Sequence, residues 1–126
     1  YGSVILAMDD LSSFRLVFGD APYVRVLDFL LETHGLFDYT LTNIAKNAGV
    51  SWATINTLFP RLVKLGLVKE TRRISRARLY MLNEQSPLAQ ELLRVYKAVS
   101  AQLIEAELAR QAARKRKAIA IQPRKR

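Results

Sequence analysis

Two glycines and a capping serine divide residues 40–66 into pieces that leave the chain little freedom. Thr40-Leu41-Thr42 opens a short helix with Leu41, Ile44, Ala45 and Ala48 facing inward, and Gly49 ends it because glycine tolerates the positive φ of a turn. Ser51 then caps a longer helix in which Ile55, Leu58, Phe59, Leu62 and Leu65 recur at helical spacing, and Gly66 stops it. A short helix joined to a longer one through so tight a turn must cross it steeply, and the small side chains of Ala45 and Ala48 permit the close approach.

The flanks extend this arrangement. Asp20 followed by Pro22 predicts a helix start with the Asp20 carboxylate at the N-cap. Val24, Val26, Leu27, Leu30 and Leu31 then form a broad apolar stripe up to a stop at His34-Gly35. Upstream, Tyr1–Phe18 reads as a short covering helix with Leu11, Phe14, Val17 and Phe18 on one face. After Gly66, the β-compatible stretches Leu67–Thr71 and Leu79–Leu82 flank an Arg-rich centre and predict a hairpin, although its loop lacks the Asn-Gly signature. Ser86-Pro87 begins a last helix expected to reach about Ala113, followed by a basic tail over 114–126 expected to be disordered when unbound. The predicted division is therefore an N-terminal segment over 1–18, a domain over 19–86, a helix over 87–113 and the tail.

Charge is distributed unevenly over the 126 residues, whose formal net charge is +9. Residues 1–50 carry three basic and six acidic groups, a balance of −3. Residues 51–86 carry seven and two, or +5, and residues 87–126 carry ten and three, or +7. A polyanion is the natural partner of such a middle and end. With no cysteine and a single histidine, His34, the sequence offers no thiolate chemistry, disulfide or sulfur-bound zinc, and no metal or cofactor is expected. An enzyme is not expected either, because adjacent residues such as Asp9 and Asp10 rarely point the same way, no third ligand or base accompanies them, and there is no Gly-rich phosphate loop. The apolar run Val4–Met8 is far shorter than the ~20 residues of a membrane span. The expected setting is cytoplasmic and nucleoid-associated, with no membrane partner.

Helix, short helix, tight turn, helix and basic hairpin follow one another in the order of a winged helix-turn-helix. The expected fold is mainly α with a small β-hairpin, ending in a long C-terminal dimerisation helix. In that arrangement the helix after Ser51 turns its polar side outward, toward a major groove about 12 Å wide. Ser51, Trp52, Thr54, Asn56, Thr57, Arg61 and Lys64 make up that side. Asn56 and Thr57 are the preferred base readers, since Asn can pair with two groups on adenine and Thr offers a hydroxyl and a methyl to thymine. Arg72, Arg73, Arg76 and Arg78 on the hairpin suit phosphates or a minor groove, with Arg76 and Arg78 expected on one side of the ribbon. Pro60 lies inside the third helix, where its missing N–H predicts a kink or loosening. Trp52 could either stack on a sugar or cover the second helix.

Several stretches carry a resemblance. Leu16–Asp20, Val26–Leu31, Phe37–Thr40, Asn43–Ser51 and Leu62–Arg72, which include I-A-x-x-A-G-V-S and L-x-x-L-G-L-V, resemble archaeal winged-helix transcription regulators, related broadly to the MarR and ArsR types. The likeness covers roughly residues 16–86. It implies transcriptional regulation, recognition by the helix beginning at Ser51, and a dimer.

On the last helix, Leu88, Leu92, Val95, Val99 and Leu103 follow spacings of three and four, and Tyr96 widens the apolar surface beyond what one small domain covers. Antiparallel or crossed pairing between two chains is therefore expected, assisted by the N-terminal segment. The expected function is sequence-specific binding of double-stranded DNA by a homodimer. Architectural, chromatin-like coating of DNA and plasmid replication or partition are the alternatives. The basic tail suits a nonspecific DNA arm, a contact with an acidic protein, or simply a solvated end.

Overall fold

The computed structural model describes residues 11–121, so the part of the predicted N-terminal helix over 1–10 lies outside them. Five helices and three strands follow in order: α1 (Ser13–Phe18), α2 (Pro22–Glu32), β1 (Tyr39–Thr40), α3 (Leu41–Ala48), α4 (Trp52–Lys64), β2 (Val68–Ile74), β3 (Ala77–Leu82) and α5 (Pro87–Ile121). The strands form one antiparallel sheet in the order β1-β3-β2. The small β1 was not foreseen, because two residues show no alternation; it pairs Tyr39 with Tyr80 and Thr40 with Leu79.

The helix boundaries follow local chemistry. Thr40 caps α3 by accepting from the Asn43 N–H, and Ser51 caps α4 by accepting from the Thr54 N–H. Between them Gly49 sits at φ 70°, and the Val50 N–H closes the turn on the Ala45 carbonyl at 2.9 Å. At the start of α2 the expectation fails. Ala21 is the N-cap and makes no side-chain cap bond, while Pro22 takes the first turn. Asp20 is displaced from the cap because its carboxylate is held by two guanidiniums, Arg15 and Arg25. Helix α4 continues through Pro60 to Lys64 without interruption.

One core joins these elements. Val26, Leu30 and Leu31 of α2, Ile44 of α3, Ile55 and Leu62 of α4 and Leu82 of β3 are almost fully enclosed. Each such side chain contributes about 1.5–3 kcal/mol relative to an exposed position. The same core takes in Phe14 of α1 and Ala89 of α5, so the predicted divisions at 18/19 and 86/87 do not separate independent cores. Leu65 departs from its predicted inward position: it is the C-cap of α4 and is 52% exposed, having left the buried stripe. Of the α1 face, Phe14 is buried whereas Val17 and Phe18 are about half exposed.

Helix α5 overturns the expected end of regular structure. It begins as predicted, with the Ser86 hydroxyl accepting from the Ala89 N–H. It then runs to Ile121, so Arg114–Lys117 are helical rather than part of a disordered tail. The segment after Ala113 contains only residues through Ile121 that helices accommodate, chiefly Ala, Arg and Lys, and the next proline is Pro123. Residues 122–126 lie outside the described ones.

Candidate nucleic-acid interface

Burying Ile55, Leu58, Phe59 and Leu62 forces the opposite side of α4 into solvent. Ser51, Trp52, Asn56, Thr57, Arg61 and Lys64 are all exposed there, and Thr54 is half-buried. Trp52 is 57% exposed and lies beside Leu41 and Thr42 at the start of α3.

The two preferred readers are exposed but engaged. The Asn56 amide donates to the Trp52 carbonyl at 2.7 Å, and the Thr57 hydroxyl donates to the Ala53 carbonyl at 3.0 Å. With one N–H on Trp52, Asn56 keeps its carbonyl oxygen and its second N–H for the two groups of an adenine. Ser51 and Thr54 are bonded to each other at 2.8 Å as part of the cap.

The polar side of α4 divides between two flanks. Asn56 and Lys64 line a groove of about 400 Å³ that also includes Phe59, Tyr80 and Arg78, so they face the wing. Thr54, Thr57 and Arg61 line a second groove with Pro22 and Tyr23 at the start of α2. At the N-terminal end of α4, Trp52 shares a third with Arg76, Arg78 and Thr42.

The wing is tighter than its sequence suggested. Ile74 pairs with Ala77, leaving Ser75 and Arg76 as a two-residue turn with Ser75 at φ 58°. A bulge lies between Glu70 and Arg72. Beyond it, Arg73 pairs directly opposite Arg78, an arrangement that repels unless screened. Glu70 supplies the screening, since one of its oxygens lies 3.1 Å from Arg73 Nε and 3.6 Å from Arg78 Nε. Arg72 turns to Asp38 in a two-pronged contact of 2.8 and 3.0 Å, and the Thr71 hydroxyl donates to the same carboxylate at 2.6 Å. Those bonds from Arg72 and Thr71 hold the Asp38 carboxyl down at about 2. Arg76, at the tip, is the one wing arginine with no ion pair among the described residues.

A second charged cluster escaped the sequence reading. Asp20 accepts from Arg25 at 2.9 and 3.0 Å and from Arg15 at 2.7 Å. The Arg25 and Arg15 guanidiniums lower its carboxyl below the usual range. Arg25 reaches on to donate to the Gly49 carbonyl at 3.1 Å. The turn that aims α4 is thus tied to α2 and, through Asp20, to α1. No local signal marks this, since Arg25 and Gly49 lie 24 positions apart.

The six residues expected between two chains separate into groups. Leu88 and Val95 are 44% and 39% exposed. Leu92 and Tyr96 are instead half-buried against the chain's own core, and the Tyr96 ring lies 5.9 Å from that of Phe14. Val99 and Leu103 lie partly covered, sharing a small pocket with Val17. Burial first, then the Glu32 and Asp28 carboxylates, push the Tyr96 phenol up. Among the described residues, no group of three or more metal-ligating side chains converges, and no helix is long and apolar enough to cross a membrane.

Neither a protein-family profile nor a curated protein sequence matches the chain. Solved structures do match its shape. The transcriptional regulator PA3341 superposes with a TM-score of 0.60 at 21% identity, over 96% of this chain and 95% of that one. A double mutant of Lactococcus lactis ZitR in apo form gives 0.53 at 20% identity, over 95% and 87%. The MarR family transcriptional regulator SPO1453 from Silicibacter pomeroyi DSS-3 gives 0.50 at 21%, over 79% and 74%. The chain has the winged-helix fold of these regulators, with three antiparallel strands and a long C-terminal helix.

Proposed function

We propose that this protein is a homodimeric transcription regulator that binds double-stranded DNA sequence-specifically, with α4 in the major groove and the wing on phosphates or in a minor groove. The observation that carries this reading is the exposure of Asn56, Thr57, Arg61 and Lys64 on one side of α4, beside an arginine hairpin. The winged-helix likeness to regulators agrees with it, as does the resemblance to archaeal winged-helix regulators carried by the sequence. Two copies double the contacts that a single small domain makes, and the exposed Leu88 and Val95 support pairing through α5.

Coating of DNA regardless of sequence is the rival, favoured by one observation: Asn56 and Thr57 already bond to their own helix. Selection of bound duplexes from a random pool separates the two. A regulator exceeds its nonspecific affinity by ~10³ or more, whereas a coating protein exceeds it little. In the same assay, Asn56→Ala is expected to relax base preference at one position, costing about 1–3 kcal/mol of discrimination. Arg76→Ala is expected to weaken all sequences alike and to flatten the salt slope by about one. Equal affinity of the wild-type chain for selected and random duplexes would overturn the sequence-specific reading, and a monomeric mass in sedimentation would overturn the dimer.

A further inference from the structure

Helix α5 outruns the domain that supports it. The last apolar residue of α5 in partial cover is Leu103, beside Val17, yet the helix continues to Ile121. At 1.5 Å per residue, Arg114 to Lys117 stand roughly 16 to 21 Å beyond Leu103. All four are exposed, and so is every residue from Leu108 to Ala120. Between Leu108 and Ile121 the sequence holds Arg110, Arg114, Lys115, Arg116 and Lys117 and no acidic residue. Arg110 is paired with Glu107; the four that follow have no ion pair among the described residues.

Four consecutive helical residues point about 100° apart, so these cations encircle the helix instead of forming a stripe. A membrane-surface helix needs an unbroken apolar face opposite its charges, and this ring interrupts every face. A protein partner would need an apolar centre to its interface, which residues 114–117 do not provide. A ring of cations with no apolar face suits a repeating anion that can be approached from any side. We propose that the exposed end of α5 is a second DNA-contacting element, a stiff arm that holds backbone phosphates of a duplex without reading bases. This rests on the DNA-binding reading above and adds to it a site separate from α4 and the wing.

The test uses the full chain and a fluorescent duplex of random sequence in a salt titration. Arg114, Lys115, Arg116 and Lys117 are changed together to Gln, which keeps helix propensity. If the arm neutralises two or three phosphates, the slope of log affinity against log salt falls by about 2–3, and affinity at low salt drops roughly 10- to 100-fold. The ratio of selected to random affinity stays unchanged. Circular dichroism monitors α5. Should the fourfold variant lose helix, Arg114→Gln with Lys117→Gln is expected to give about half the change in slope. An unaltered slope in helical variants, with the wild type binding, overturns the arm alone. Failure of the wild type to bind any duplex overturns the DNA reading as well. A loss confined to the selected sequence, or one seen on phosphatidylserine vesicles and not on duplexes, also refutes the proposal.

Discussion

A carboxylate that accepts several hydrogen bonds is stabilised in its charged form, and Asp38 accepts from Thr71 and twice from Arg72. Its pKa is lowered from 3.8 to about 2, so its contribution to stability is fully present above about pH 4 and is lost as pH falls through 2. Asp38→Asn removes that pH-dependent part. The gap in urea midpoint between wild type and variant is therefore expected to be widest near pH 6 and to narrow toward pH 2; an equal gap at both ends would refute the assigned cause. Asp38 could not be found by scanning the chain, because its partners lie 33 and 34 positions away and leave no local pattern. Glu70 was equally hidden: an acid within a basic ribbon, its role visible only once Arg73 and Arg78 lie opposite each other. By contrast Ser51, Asn56 and Thr57 were readable, since a cap and a 3.6-residue period place a side chain on a face without knowledge of the rest.

Elements with strong local signals emerged where expected. Helices α3 and α4 and the glycine between them follow from caps, apolar spacing and a position that needs positive φ. The hairpin was harder, because its turn uses Ser75 where the geometry favours glycine. Positive φ at the first turn residue alone matches a type II′ turn. An L side chain held at positive φ costs about 1–3 kcal/mol. Ser75→Gly is accordingly expected to raise stability by up to about 1 kcal/mol after glycine's larger entropy loss is counted. Chemical denaturation measures this, and a destabilised variant would mean that the Ser75 side chain contributes more than its strained backbone costs. The end of α5 was misplaced for a different reason: a run of like charges reads as a solvated tail, yet Arg, Lys and Ala are themselves good helix formers.

On the scale of the whole molecule, α1 and the first half of α5 close over the core that α2, α3 and α4 build. Arg25 and Asp20 connect this layer to the Gly49 turn. Tyr96 and Leu92 serve that enclosure, which a helical-wheel reading cannot distinguish from a surface kept for a second chain. The unsupported length of α5 has a consequence of its own. An isolated helix must overcome a nucleation barrier, but one that grows from a packed stem inherits its first turns already formed. The outer half of α5 can therefore persist in water as a helix that frays only from its tip. Amide exchange is expected to be slow near Ala89 and to quicken steadily toward Ile119, with no step between; a single shared rate along the helix would show that something else clamps its far end.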